Sequence, residues 1–364
     1  MRVCILFIFF IFSCNEKTKK QSIPTITPML SDSIEISMDT TNYYNIDYVY
    51  QDSSDIYLCL PNSNRVFILN TGTNELRDIY FDKNINEQEG LVFIAKFKNN
   101  SYLIENSCNV FHIDSIGKTV NQIRKCEWEK EPVVLMSHTF ETPLIYYSKS
   151  DRIFMQVLND TTMKDPFQLT NYPIEAAIND TGNIEEILKI TYPNAFGKHY
   201  FGMLKRYSRI LSGNSLIYLF NPVDSIYQYS LDNKLVKSFF IENPFATSPT
   251  MPANYSKRKS TQLLYDHYNS QPFYFNIAKN PYNSNYYVTY FHEYKLENED
   301  GTFNNLMNRK TSILVLNDSF KTIKTIEPPA NFKFEKPLFH KNGLMWKKYN
   351  SDKKTMTFYI YNEN

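Results

Sequence analysis

A pattern of apolar strand residues recurs along this chain at steps of about 44 residues, and few folds produce such a period. The best matches to the recurring strand lie at residues 66–69, 110–113, 153–157, 225–230, 313–316 and 358–361. Most of the steps between them are one period long, and two are longer, as if each contained an insertion. A period of about 40–45 residues is typical of the blades of β-propellers.

The clearest copy of the repeat consists of three successive segments that alternate apolar and polar residues, Ser215–Phe220, Ser225–Ser230 and Leu235–Phe240. Alternation of this kind predicts half-buried strands. A further inner strand is expected in front of each copy, at residues 46–50, 91–96, 133–137, 199–207, 273–278 and 334–340. The 28 tyrosines and 27 phenylalanines favour strands as well, so we expect four-stranded blades.

The number of blades depends on the longest step, which runs from residue 226 to residue 313 and is close to two periods. A seventh blade inside it is the alternative to six. However, residues 243–271 contain no pair of alternating strands, and Leu263, Leu264 and Tyr268 have a helical spacing. We therefore expect an all-β fold, a six-bladed β-propeller at residues 32–364 with two partly helical insertions at about 170–198 and 243–271.

The last predicted blade has three segments, at residues 334–340, 344–348 and 355–361, and is short of a fourth strand. An unpaired outer edge is a liability that folded sheets normally cover. Residues 33–38 alternate apolar and polar side chains and have no strand partner before them. We expect this N-terminal strand to close the ring, with Ile34 and Ile36 close to Phe358 and Ile360.

The N-terminus has the pattern of a bacterial export signal. Met1 and Arg2 precede an apolar run at residues 3–12, about half of the roughly 20 residues that a membrane-spanning helix needs. Ser13 and Cys14 follow, so we expect removal of the signal peptide 1–13 and lipidation of Cys14. The polar residues 14–31 predict a tether. The alternatives are an ordinary cleaved signal and an uncleaved anchor.

A short signal of this kind followed by strand repeats rich in Tyr and Asn resembles the six-bladed β-propeller lipoprotein family of Bacteroidetes, which is built on a domain of unknown function. The resemblance covers essentially the whole mature chain. It implies a propeller, a lipid anchor in the outer membrane of the cell envelope, and a ligand that no motif identifies. The resemblance does not determine whether the protein lies on the periplasmic or the surface face of that membrane.

Charge and motifs exclude several classes of function. The chain has 39 basic and 38 acidic side chains and therefore no basic surface for nucleic acid. Its nine glycines form neither a GxGxxG nor a Walker sequence, so we expect no nucleotide partner. The six histidines lack HxxxH or HExxH spacing and no GxSxG segment occurs, so we expect no metal, no cofactor and no catalytic residue.

We expect ligand binding at the two insertions, because long loops on a rigid scaffold are commonly functional. Aromatic and cationic side chains in and after them suit saccharides, peptides or carboxylates. The candidate ligand-binding residues are His199, Arg206, Tyr207, Tyr255, Arg258, Tyr265 and His267. The alternative is that these side chains pack a lid helix or face solvent.

These patterns favour a non-enzymatic, envelope-anchored propeller that binds a peptide, glycan or protein partner and contacts the membrane through its lipid. One alternative is a hydrolase or lyase acting on extracellular polysaccharide or peptide. The other is a structural scaffold of an outer-membrane assembly. Two or more acids with a histidine at the channel mouth would favour the enzyme, and an aromatic, uncharged groove would favour binding. A featureless channel with an exposed apolar patch would favour the scaffold.

Two modifications stay open. After removal of the signal and lipidation, Cys59, Cys108 and Cys126 are an odd set, so a Cys108–Cys126 disulfide is not required. Cys59 lies in an alternating strand, and we expect it in the core. Asp-Ser-Ile occurs at residues 32–34, 114–116 and 224–226 and resembles an O-glycosylation acceptor of Bacteroidetes envelopes. A turn that enters a strand is the alternative.

Overall fold

The computed structural model describes residues 23–37, 49–59, 64–82, 85, 91–106, 109–124, 133–135, 142–159, 165–232, 234–332 and 336–363. These residues form six small sheets in a ring, so the predicted six-bladed β-propeller is confirmed. The predicted signal, Cys14, Cys108 and Cys126 lie outside the described residues. No helix within the described ranges is long and apolar enough to cross a membrane.

Each blade begins at the axis of the ring and runs outward. The N-terminal segment forms β1 (Thr25–Ile26) and β2 (Met29–Ser37). Blade 1 contains β3 (Val49–Asp52), β4 (Asp55–Cys59), β5 (Arg65–Asn70) and β6 (Leu76–Tyr80). Blade 2 contains β7 (Leu91–Lys96), β8 (Tyr102–Asn106), β9 (Asn109–Ile113) and β10 (Thr119–Arg124). In blade 3, β11 (Val133–Leu135) and β12 (Ile145–Tyr147) share the inner position, followed by β13 (Arg152–Asn159), β14 (Glu175–Ile178) and β15 (Ile184–Leu188).

The second half of the ring repeats this order. Helix α1 (Ala195–Lys198) precedes blade 4, which contains β16 (Tyr207–Ser212), β17 (Ser215–Phe220), β18 (Ser225–Ser230) and β19 (Leu235–Phe240). Helix α2 (Thr261–Ser270) precedes blade 5, with β20 (Phe273–Lys279), β21 (Tyr286–Phe291), β22 (Thr311–Leu316) and β23 (Thr322–Ile326). Blade 6 contains β24 (Leu338–His340), β25 (Gly343–Asn350) and β26 (Thr355–Asn362).

The hydrophobic core lies between neighbouring blades. Ile217 and Leu219 of blade 4, for example, pack in one cluster with Val288 and Leu314 of blade 5. Central strands are therefore covered on both faces, and every residue of β22 is buried. A strand buried on both faces has no reason to alternate apolar and polar residues, which explains why central strands read as continuous apolar runs.

Asparagine and aspartate shape the turns between the third and fourth strands of several blades. Asn70, Asp114, Asn179 and Asn317 each accept hydrogen bonds through Oδ1 from backbone N–H groups two to four residues further on. Such side-chain turns satisfy backbone donors that a tight reversal would leave unpaired. The turn interpretation of Asp-Ser-Ile therefore applies at residues 114–116, and glycosylation stays a prediction.

Ring closure by the N-terminal strand is confirmed. Strand β2 pairs antiparallel with β26, with Ile34 opposite Phe358 and Ile36 opposite Met356. Strand β1 adds a second contact, parallel to β23 of blade 5. The predicted tether 14–31 is therefore too long, because β1 and the first residues of β2 belong to the ring. Strand β1 has only two residues, which is too short for an alternating pattern. The sequence therefore does not predict that β1 pairs with blade 5.

The structure also corrects the predicted layout before blade 4. Residues 153–157 lie in the second strand of blade 3, and β14 and β15 complete that blade inside the range predicted as the insertion 170–198. Their alanines and glutamates favour helices over strands, and β14 is buried throughout. The expected inner strand at 199–207 is wrong, because residues 202–204 form a 3-10 turn and β16 begins at Tyr207. The helical character of the second insertion, 243–271, is confirmed by α2.

Candidate functional site

The ends of the inner strands enclose a cavity of about 710 Å³ on the axis of the ring. All six blades contribute to its wall. Ser53, Gly213 and residues 281–284, from the hairpins that join first to second strands, form part of its rim. Because every blade starts with its inner strand, these hairpins lie at one end of the channel, which we call the hairpin face. The connections between blades lie at the other end, the connection face.

The cavity wall carries more positive than negative charge. Lys96, Lys279 and Lys336 line it, and Asp52 is the only carboxylate among the lining residues that the structure describes. Lys279 Nζ donates to Ser212 Oγ at 2.9 Å, which ties this ammonium group to the rim. Burial raises the pKa of Asp52, and Lys96 acts in the opposite direction. The wall therefore has a net positive charge at neutral pH.

Tyrosines supply aromatic surface to the same wall. Tyr146 donates its hydroxyl hydrogen to Asp151 Oδ1 at 2.7 Å, and the Tyr282 hydroxyl is hydrogen-bonded to Thr71 Oγ1 at 2.6 Å. Tyr50 also lines the cavity. Because the hydroxyls of Tyr146 and Tyr282 are bonded to protein groups, these two side chains present mainly ring carbons to a ligand.

Gln51 joins the first blade to the last at the cavity wall. Its Nε2 donates to the Phe339 carbonyl at 2.8 Å, and its Oε1 accepts from the Phe339 N–H at 2.7 Å. On the rim nearby, Lys341 Nζ donates to the Gly72 carbonyl at 2.6 Å. The side chain of Gln51 thus bonds β24 as a neighbouring strand would, and it holds the wall in place where the ring closes.

A buried ion pair lies behind the wall, between blades 3 and 4. Arg209 Nη1 is 2.6 Å from Glu175 Oε1, and both side chains are 0% exposed. Tyr218 donates to Glu175 Oε2 at 2.9 Å, and Arg209 Nη2 donates at 2.9 Å to the carbonyl of Pro143, which lines the cavity. Burial raises the pKa of Glu175, and Arg209 opposes this effect. Such a network fixes the backbone of the wall.

Part of the ligand-binding set expected from the sequence comes together on the connection face. The Arg258 guanidinium lies 4.2 Å from the centroid of the Tyr255 ring, which meets the ring of Tyr200 edge-on at 5.3 Å. Arg206 lies 6.0 Å from the centroid of the Tyr268 ring in α2. These contacts pack the second insertion against the segment before blade 4, as the packing alternative anticipated.

The remaining members of that set lie apart from one another. Tyr207 is buried in the core and donates its hydroxyl hydrogen to a backbone carbonyl. His267 Nε2 donates to the Met251 carbonyl at 2.8 Å, and burial lowers the pKa of its imidazole. His199, just after α1, and Tyr265 on α2 are exposed. None of the seven predicted residues lines the axial cavity, and their role in ligand binding stays a prediction.

A polar residue at the end of the inner strand is a feature of the repeat that points to the cavity. Asp52, Lys96 and Lys279 of the cavity wall, and Ser212, which is bonded to Lys279, are each the last residue of an inner strand. They therefore occupy the same position in their blades. A superposition of the repeats would have shown polar side chains recurring there. The sequence pattern does not define where the inner strands end, and in blade 4 it predicts a strand at 199–207, whereas β16 begins at Tyr207.

Cysteine and metal chemistry find little support in the described residues. Cys59 is buried and unpaired in β4, as expected, and burial raises the pKa of its thiol. Within the ranges that the structure covers, no three His, Cys, Asp or Glu side chains lie together as a metal site would require. A thiolate nucleophile needs a lowered pKa and access to solvent, and Cys59 has neither.

Solved structures share this fold. A member of the DUF4221 family from Bacteroides vulgatus matches with a TM-score of 0.70 and 17% identity, over 92% of this chain and 97% of that one. A candidate exported protein from Bacteroides fragilis matches with a TM-score of 0.54 and 8% identity, over 94% and 100%. No protein-family model and no curated protein matches the sequence. Identities this low establish the shared propeller fold alone, and the lipoprotein expectation stays a prediction.

Proposed function

We propose that this protein is a non-enzymatic binding protein of the cell envelope that takes its ligand into the axial cavity at the hairpin face. The observation that carries the proposal is the convergence of aromatic, amide and cationic side chains from five blades on one cavity of about 710 Å³, to which blade 4 adds Ile210 and Leu211. A concave site of this size with a few convergent polar groups is typical of ligand sites on rigid scaffolds.

The chemistry of the wall favours binding over cleavage. Glycoside hydrolysis by its usual route needs two carboxyl groups on opposite sides of the scissile bond. Among the described residues that line the cavity, Asp52 has the only carboxyl group and no histidine is present. The hydrolase or lyase alternative therefore has less support than the binding role.

A scaffold role is the second candidate, because the outer strand of blade 4 has an apolar surface. Leu235, Val236 and Phe240 of β19 are 53%, 58% and 72% exposed. Exposed apolar residues that adjoin one another can mark a protein contact. The axial channel, however, is lined by charged and aromatic groups, so binding in the cavity explains more of the molecule.

A lipid anchor at Cys14, in the outer membrane, is part of the same proposal. It is supported by the short apolar run before Ser13, and one structural relative is a candidate exported protein. Mass spectrometry of the membrane fraction should find a diacylglyceryl group on Cys14, and Cys14→Ser should release a soluble protein. A mature protein that still begins at Met1 would contradict this.

Blocking the rim tests the cavity. Ser284 is exposed and lines the cavity, so Ser284→Trp should fill its mouth. Arrays of oligosaccharides and of peptides should identify ligands for the unmodified protein, and Ser284→Trp should abolish their binding. Thr261→Trp, at an exposed position of α2 on the connection face, is the matched control and should retain it. Retained binding by Ser284→Trp would contradict the proposed site.

A further inference from the structure

We infer that the ligand of the axial cavity is an acidic oligosaccharide, with a carboxylate held by Lys96 and Lys279 and sugar rings against the tyrosines of the wall. This inference rests on the proposed function and names the chemical class of its ligand. It follows from three features of the cavity: its local charge, the arrangement of that charge around the axis, and its aromatic surface.

The positive charge is local to the cavity. The whole chain has a net charge of +1, yet the wall has three lysines and one aspartate. Cations gathered in a concave, partly desolvated site raise the potential there and attract anions. An ammonium group at the mouth of such a site suits a carboxylate as its counter-ion.

The arrangement of the charge around the axis points to a single anionic group at the centre. Lys96 ends the inner strand of blade 2 and Lys279 ends that of blade 5. These blades are three positions apart in a ring of six, so the two lysines lie on opposite sides of the channel. Lys336 comes from blade 6, whereas Asp52 comes from blade 1, so the wall is asymmetric and would orient the ligand.

The aromatic surface favours a sugar. Tyr50, Tyr146 and Tyr282 line the cavity. The rings of Tyr50 and Tyr146 pack on Phe93 and Phe97, whereas Tyr282 is 38% exposed and offers most of the aromatic surface. Ser53 and Ser284 add hydroxyl groups at the rim. The C–H faces of a sugar ring pack on aromatic rings, while its hydroxyls need partners of this kind. An extended peptide commonly pairs with a free strand edge, and at blade 6 the backbone of Phe339 is already bonded to Gln51.

Calorimetry with two acidic trisaccharides, trigalacturonate and trimannuronate, tests the inference on the full mature chain. At least one should bind, and its affinity should fall about tenfold in Lys96→Met and in Lys279→Met. Lys259→Met is the matched control, because Lys259 is exposed on the connection face. It should bind as the unmodified protein does. Galactotriose, which lacks the carboxylates, should bind at least tenfold more weakly than trigalacturonate.

The outcomes separate this inference from the proposed function. Equal affinity for galactotriose and trigalacturonate, or no effect of either cavity lysine, would overturn the acidic ligand. If Ser284→Trp still blocked the binding, the axial cavity would remain supported as the ligand site. Equal affinity for hexaglutamate would overturn the sugar component. Absence of binding to both acidic trisaccharides would overturn the inference as a whole. Near-UV circular dichroism of each variant shows that it is folded.

Discussion

His292, at the junction of the second insertion and blade 5, lies close to two cations. Its Nε2 is 2.8 Å from Ser312 Oγ. Burial, Lys310 and Arg309 lower the pKa of His292 to about 4, and Glu327 acts in the opposite direction. At neutral pH the imidazole is therefore neutral in the folded protein, and its protonation would place a third positive charge in this junction.

The pH dependence of stability follows from this lowered pKa. In the unfolded chain a histidine has a pKa near 6.5, so below that pH the unfolded state binds a proton that the folded state binds only near pH 4. The free energy of unfolding should fall between pH 6.5 and 4, by about 1–2 kcal/mol once partial exposure is allowed for. His292→Gln should lose this component. Urea unfolding of both proteins at pH 7 and 4.5 measures it, and identical pH profiles would contradict it.

The buried pair of Glu175 and Arg209 gives a second prediction for single residues. Glu175→Ala leaves a buried guanidinium without its carboxylate and should reduce the free energy of unfolding by about 3–5 kcal/mol. The double variant Glu175→Ala, Arg209→Met removes both charges and should cost less than the sum of the single changes. Chemical denaturation of Glu175→Ala, Arg209→Met and the double variant measures these free energies. Strictly additive losses would show that the pair is not coupled.

A buried arginine bonds helix α2 to blade 5. Arg309 is buried; its Nε donates to the His292 carbonyl at 3.0 Å, and its Nη1 donates to the Tyr268 carbonyl at 3.3 Å. Its Nη2 donates to the Gln271 carbonyl, just beyond the helix. A cation that satisfies carbonyls at a helix C-terminus stabilises that end. The guanidinium also lies between 5 and 6 Å from the centroids of two phenylalanine rings.

Loss of these donors should release the helix while the blades stay folded. Arg309→Met keeps the aliphatic stem but removes the donors, so the backbone amides of α2 should exchange with deuterium at least tenfold faster. Arg309→Lys retains charge but not the planar fork, and it should give an intermediate rate. Hydrogen exchange followed by mass spectrometry resolves residues 261–270 from the blades. Unchanged exchange there would show that other contacts hold the helix.

At the scale of the whole molecule, the ring depends on the pairing of its two ends. Ile36 of β2 is 1% exposed among apolar residues of β26 and blade 1, whereas Met29 at the start of β2 is 71% exposed. Because this contact joins the ends of the ring, its loss leaves the outer edge of blade 6 unpaired.

Ile36→Ala should therefore reduce the free energy of unfolding by about 2–4 kcal/mol, through lost burial and a cavity at the closure. Met29→Ala is the matched control in the same strand and should change it by less than about 0.5 kcal/mol. Deletion of residues 23–37 removes both β1 and β2 and should cost more than Ile36→Ala. Thermal and urea unfolding provide the measurements, and equal losses for Ile36→Ala and Met29→Ala would contradict closure by β2.

The propeller architecture follows from local patterns along the chain. Its period of about 44 residues and the alternating segment at 33–38 predict six blades and the closing strand, because strand faces and turns are set by local side-chain chemistry. Burial on both faces removes the alternation of apolar and polar residues in β14, so the sequence there predicts an insertion instead of a strand.

The axial cavity, in contrast, exists only in the folded ring. Lys96 and Lys279 are separated by more than half the chain, and both line the cavity because the ring brings the ends of its inner strands to one axis. Neither residue belongs to a local motif. The insertions are the ligand sites that the sequence predicts, because they depart from the repeat. In the structure their aromatic and cationic residues largely pack against one another. Residues far apart in the sequence line one cavity because the ring closes. The spacing of residues along the chain does not predict this.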